Sequence, residues 1–91
     1  MSVYQVEKLC YRLVHDPEFR EAILRDPKAT IAALPLTDEE RDLLLRGEVG
    51  RLYELGTHPF LLSHISRVHA FGVTPDHYRE QMKGVRPEQG S

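Results

Sequence analysis

Apolar residues recur along this chain every three or four positions and do not alternate, so the pattern predicts helices and no strands. Val6, Leu9, Cys10 and Leu13 fall on one stripe of a first helix over residues 4–14. Asp16-Pro17 reads as an N-cap followed by a proline at the first helical position, where its missing N–H has no helical partner to lose. Glu18 suits the positive end of that second helix, and Phe19, Ala22 and Ile23 supply its buried stripe. Asp26-Pro27 repeats the start signal for a short third helix ending near residue 33. Thr37-Asp38-Glu39-Glu40 is a capping box, in which Thr37 caps and Glu40 bonds back to the cap amide. Leu43 and Leu44 face inward on that fourth helix, and Gly47 ends it. A fifth helix covers 49–55 with Leu52 and Leu55 apolar, and a sixth covers 59–69 with Phe60, Leu61, Leu62, Ile65 and Val68. Thr74-Pro75 opens a seventh, with Tyr78 and Met82 on one face. The fold class is therefore all-α, a compact orthogonal bundle of six or seven short helices with short connections. One helical domain is expected over 1–84, with 85–91 as a flexible tail.

Between the fifth and sixth helices the chain makes its most distinctive local feature, Leu52-Tyr53-Glu54-Leu55-Gly56-Thr57-His58-Pro59-Phe60-Leu61-Leu62. Gly56 suits a helix C′ position and Pro59 the first turn of the next helix, so these two build a corner. Thr57 and His58 sit at the new helix start. Three consecutive apolar residues span too wide an arc for all to face one core, so one of Phe60, Leu61 and Leu62 is expected to point outward. His64 and Arg67 follow Phe60 at helical spacing, and together they read as an outward aromatic-plus-basic strip of the kind enriched at interfaces. The competing readings are a face covered by neighbouring helices, or one that is simply solvated.

Composition narrows the function classes. The chain has 91 residues, 41% hydrophobic and 29% charged, with a net charge of -2. That is the make-up of one ordinary globular domain, and it lacks the basic stripe of a nucleic-acid binder. No apolar run approaches the ~20 residues that span a bilayer. The N-terminus lacks the basic-then-apolar layout of a signal peptide, so a cytoplasmic location is expected. Cys10 is the only cysteine, which removes an internal disulfide.

Candidate chemistry is sparse. The five histidines are His15, His58, His64, His69 and His77. The last four are six, five and eight residues apart, whereas two ligands on one helix face need three or four. No His-Glu-x-x-His run occurs, so a metal site would have to be assembled from distant segments. Cys10 lies on the apolar stripe, where cysteine acts as a small hydrophobe. Ser63 and His64 are adjacent on a helix and point about 100° apart, a poor nucleophile–base geometry. Ser66 is no better placed. The glycines Gly47 and Gly50 are a helix stop and restart, not a phosphate cradle.

Four segments in order carry a family resemblance. They are Val6-Glu7-Lys8-Leu9-Cys10-Tyr11-Arg12-Leu13 with Glu18-Phe19-Arg20 and Asp26-Pro27; the run from Leu36-Thr37 through the leucine helix to Gly47-Glu48; Leu52-Tyr53-Glu54-Leu55-Gly56 with His58-Pro59-Phe60-Leu61-Leu62; and Phe71-Gly72-Val73-Thr74-Pro75-Asp76-His77-Tyr78. Over residues 4–84 the chain resembles the small, alpha or LigA-type, subunits of class III extradiol ring-cleavage dioxygenases. This group includes the protocatechuate 4,5-dioxygenase alpha subunit. The likeness is strongest to the short small subunits of aminobiphenyldiol-type dioxygenases.

The resemblance implies a helical subunit with no cofactor of its own. Fe(II) is then expected in a large catalytic LigB-type partner subunit, held by two histidines and a carboxylate, with a catechol-like aromatic substrate at the shared site. Neither nucleic acid nor membrane is an implied partner. Residues 56–71 would face that partner, with His58, Phe60, His64, Arg67 and Phe71 as candidate contacts and Gly56 and Pro59 as the structural corner. The longer protocatechuate-type subunits carry an insertion with a lid aromatic where this chain has only Val68-His69-Ala70-Phe71, which leaves Phe71 as the lid candidate. Two other functions stay open. One is a stand-alone recognition module for a modifying enzyme, its tail being processed. The other is a small enzyme using His58 or His64.

Overall fold

The helix starts that the sequence marks with a polar cap are made in space by those same side chains. The structure is a computed structural model, and it describes residues 3–83. Among these residues the chain forms α1 (Tyr4–His15), α2 (Pro17–Arg25), α3 (Pro27–Ala32), α4 (Asp38–Leu45), α5 (Val49–Glu54), α6 (Pro59–Arg67) and α7 (Pro75–Met82). A 3-10 turn, Ala70–Gly72, joins α6 to α7. No strand occurs among the described residues, and the fold is an all-α bundle. The tail expected over 85–91 lies outside them.

Asp16 Oδ1 accepts the Phe19 N–H at 3.1 Å to start α2, and Asp26 Oδ1 accepts the Ala29 N–H at 3.2 Å to start α3. The Phe19 amide, aided by Arg12, holds the Asp16 carboxyl below its ordinary range. The capping box of α4 is complete. Thr37 Oγ1 accepts the Glu40 N–H at 3.1 Å, and Glu40 Oε1 accepts the Thr37 N–H at 2.8 Å. Thr74 Oγ1 accepts the His77 N–H at 3.1 Å to start α7. The helices are six to twelve residues long, too short to hold alone in water, so packing must supply what the caps do not.

The ends of α4 and α5 are Schellman motifs. Gly47 and Glu48 donate to the Leu44 and Leu43 carbonyls at 3.0 and 2.9 Å, while Gly56 and Thr57 donate to the Tyr53 and Leu52 carbonyls at 3.0 and 3.1 Å. α6 also ends at a left-handed residue, but without a glycine. His69 takes the left-handed position with φ 58, and its N–H reaches the Ser66 carbonyl at 3.2 Å. The sixth helix therefore stops at Arg67 and not at residue 69. Phe71 (φ 56) and Gly72 (φ 74) are left-handed as well, which makes this the most contorted connection in the described chain.

One buried cluster unites the elements. Val6, Leu9, Cys10 and Leu13 of α1 meet Phe19 and Ile23 of α2, Leu43 and Leu44 of α4, Leu52 of α5, and Leu62 and Ile65 of α6. α1 packs against both α2 and α6, and α7 lies across α5 and α6. The end of α7 is tied to the α4–α5 turn: Gln81 donates to the Gly47 carbonyl at 2.8 Å and accepts the Gly50 N–H at 2.9 Å.

Gly47 is required twice over. Its φ is +68, and a Cβ there would lie 2.9 Å from Val73 Cγ2 and 3.2 Å from the Phe71 carbonyl oxygen. Gly72 shares the left-handed backbone, but a Cβ there meets nothing within 4 Å. Gly47→Ala is expected to lower stability by about 2–3 kcal/mol, through strain and overpacking together. Gly72→Ala carries the backbone penalty alone, about 1 kcal/mol. Urea denaturation of the two variants checks the order.

Candidate functional site

The α5–α6 corner is assembled by three contacts, two of them from distant helices. Gly56, at φ 116, lets α5 end and the chain turn. Thr57 then points inward and is 1% exposed. Its hydroxyl has no hydrogen-bond partner among the described residues. His58 points outward and caps α6, its Nδ1 accepting the Phe60 N–H at 3.1 Å. Its own N–H donates to Glu7 Oε2 of α1 at 2.9 Å. Tyr78 of α7 donates its hydroxyl to the Pro59 carbonyl at 2.9 Å. Burial is the main cause pushing the Tyr78 phenol up, so it remains a donor at neutral pH.

These contacts fix the chemistry that the corner presents. A ring nitrogen that accepts carries no proton, so neutral His58 holds its proton on Nε2, which faces outward as a donor. Phe60 is 60% exposed beside it. Its ring stands edge-on to His64 with centroids 5.1 Å apart and planes at 72°, one turn further along α6. Leu61 is half-buried and Leu62 fully buried, so the outward member of the apolar triplet is Phe60.

His64 corrects the outward-strip expectation. It is 4% exposed, and its Nδ1 lies 3.2 Å from the Cys10 carbonyl oxygen of α1. A carbonyl only accepts, so His64 Nδ1 carries the proton, the opposite tautomer to His58. The reason is packing: α1 covers this flank of α6, and the ring's polar atom finds a backbone acceptor there. Arg67 stays exposed at the far end of α6. Phe71 sits apart from the corner. It is half-buried against the core on the 3-10 turn, which packs on α2 and α6. It lies beyond the C-terminal end of α6, about 13 Å of helix away from the corner. The structure thus brings together Gly56, His58, Pro59 and Phe60, with His64 beneath them, and leaves Arg67 and Phe71 at the other end. Glu7 and Tyr78 are corner residues that sequence reasoning missed; their bonds join positions 51 and 19 residues apart, and no local pattern signals that.

Other candidate chemistry is absorbed by structure. Ser63 Oγ donates to the Phe60 carbonyl at 2.5 Å, and Ser66 Oγ to the Ser63 carbonyl at 2.9 Å, so both hydroxyls serve the helix. Among the described residues no three His, Cys, Asp or Glu side chains gather as a metal-donor set, so this arrangement does not fit an iron centre. His77 Nε2 contacts the Gly47 carbonyl at 3.3 Å and Gln81 at 2.5 Å, within the α4–α7 tie. A cleft of about 120 Å³ opens beside α1 and α2, lined by Lys8, Arg12, Phe19 and Leu34. It falls below the ~300–1,000 Å³ usual for ligand pockets, and the Arg12 guanidinium covers the Phe19 ring at 3.9 Å. No helix of the described chain is long and apolar enough to cross a membrane.

Fold and corner define a small all-α domain whose distinctive polar and aromatic groups stand on its surface. The chain belongs to the family described as aromatic-ring-opening dioxygenase LigAB, LigA subunit, which matches residues 6–89. No curated protein and no solved structure matches it.

Cys10 gives the α1–α6 contact a measurable signature. Burial, then the nearby Glu7 charge, push its thiol from 9.0 up to about 12. Between those values the unfolded thiol has lost a proton that the native one keeps, so stability falls as pH rises above 9. The slope from this group is about 1.4 kcal/mol per pH unit. Urea titrations from neutral to alkaline pH are expected to show a shallower decline for Cys10→Ala than for the unaltered chain. In native conditions the thiol is expected to resist alkylating reagents until the chain is unfolded.

Proposed function

We propose that this chain is the non-catalytic small subunit of a heteromeric, cytoplasmic extradiol ring-opening dioxygenase, of the short aminobiphenyldiol-like type. Its task is to cover and close the Fe(II) site of a large LigB-type subunit that acts on a catechol-like aromatic. The observation that carries this reading is the family match across residues 6–89.

In this reading the corner is the closing edge. Phe60 is an exposed aromatic held in place by the His64 ring beneath it, so it seats against a partner with little ordering left to do. It walls off the aromatic substrate and keeps water out of the mouth of the site. His58 offers one N–H, from Nε2, to an oxygen at the rim, and its tautomer is set before docking by the helix cap. Glu7 and Tyr78 hold the corner backbone, so they position these groups without touching substrate. The recognition-module alternative is distinguished by a processed tail after Gly84, which lies outside the described residues.

Co-expression with a large LigB-type subunit is expected to yield a stable complex with ring-cleavage activity, and the large subunit alone should retain its iron but lose that activity. Phe60→Ala is expected to weaken association by roughly tenfold or more, because aromatic anchors dominate interfaces. Its melting temperature should stay close to that of the unaltered chain. His58→Asn keeps an N-cap but removes the ring, and is expected to lower activity with the fold intact. Ring cleavage and bound iron in this chain alone would refute the proposal.

A further inference from the structure

We infer that the docking surface extends from the corner along the outer edge of α1, and that Tyr4 and Tyr11 are contact residues for the large subunit. This inference rests on the subunit reading above. It begins from what the fold leaves outside. Tyr4 is 61% exposed, Tyr11 55% and Phe60 60%, so three of the five most exposed large apolar side chains are aromatic and lie on α1 and α6. The other two, Leu24 and Leu45, lie on α2 and α4.

Helix geometry makes the two tyrosines part of the corner. Tyr4, Glu7, Tyr11 and His15 are spaced three or four residues apart and form one ridge on α1. Glu7, in the middle of that ridge, is the residue whose carboxylate accepts the His58 N–H at 2.9 Å. The ridge therefore abuts the corner at a direct hydrogen bond. The core stripe Val6, Leu9, Cys10 and Leu13 takes the opposite side of α1, so neither tyrosine is needed to fill the interior.

Size and order support the same occupant. A stable interface takes about 800 Å² from each partner, spread over ~20–30 residues. That is about a seventh of this chain's 5378 Å² surface. Four residues, 58–61, fall short of that number, whereas the ridge adds two exposed aromatic side chains on the helix that bonds to the corner through Glu7. Tyr11 is also ordered in advance, its ring stacked on His15 with centroids 4.1 Å apart and planes at 27°. Aromatic side chains held in place before binding are the type that dominates interface energetics.

The test titrates the unaltered chain and its variants against the purified, iron-loaded large subunit by calorimetry, with melting temperatures measured alongside. Tyr11→Ala is expected to weaken association by about tenfold at an unchanged melting temperature, and adding Tyr4→Ala should weaken it further. Tyr11→Lys, which puts a charge on the ridge, should weaken it at least as much. Leu24→Ala, at a half-exposed position on α2, should stay within about twofold. The inference is overturned if Tyr11→Ala and Tyr11→Lys bind like the unaltered chain while Phe60→Ala does not, since the interface would then end at the corner. It is also overturned if sedimentation shows a dimer of this chain that Tyr11→Ala dissociates with partner affinity unchanged; the occupant would then be a second copy. Failure of the unaltered chain to bind the large subunit at all refutes the subunit reading, and this inference with it.

Discussion

The seam between α1 and α6 is the contact on which the rest of the molecule depends. The other helices of the first half mostly pack on their neighbours in sequence: α2 on α3, α3 on α4, α4 on α5. α6 instead returns across some fifty residues to α1, and so closes the bundle. Leu62 and Ile65 join Val6, Leu9, Cys10 and Leu13 in the shared core, and His64 donates to the Cys10 carbonyl inside that seam. Closing so long a loop costs entropy, which must be recovered by burial. It explains why a histidine is tolerated there. Its one buried polar contact is satisfied by backbone, and the ring fills space beneath Phe60.

The same seam decides what the surface presents. Because α1 covers one flank of α6, His64 is turned in and Phe60 is left out. His58, one residue before the helix, faces solvent with a tautomer opposite to that of His64. The corner is thus an edge of the core contact, its backbone bonded to α1 through Glu7 and to α7 through Tyr78. A surface built this way inherits the rigidity of the interior. The second contorted region, the left-handed run at His69, Phe71 and Gly72, sits at the other end of α6 and packs against Gly47. It turns the chain within a few residues, and it draws Phe71 into packing and away from the corner.

The legible part of the fold was the part written in local grammar. Asp16, Asp26, Thr37 and Thr74 announce helix starts because their side chains bond amides only two or three residues on. Gly47 and Gly56 announce stops because a left-handed residue costs little without a Cβ. His69 makes a left-handed stop with a side chain that carries no such signal, so the apolar periodicity alone runs α6 two residues too far. The family, too, was legible, since four segments in order are enough to place the chain among LigA-type subunits.

By itself, then, the sequence determined which segments are helical, where most of them begin and end, and which stripe of each is apolar. Those properties depend on contacts within one or two turns, and every residue involved is a near neighbour in the chain. Only the tertiary structure decided that Thr57 and His64 face inward, that Glu7 and Tyr78 hold the corner, and that Phe60 is the apolar residue left exposed. The apolar stripe of α6 says that something must cover it. Which flank is covered, and by what, depends on how α1 crosses it, and that arrangement is a property of the whole bundle.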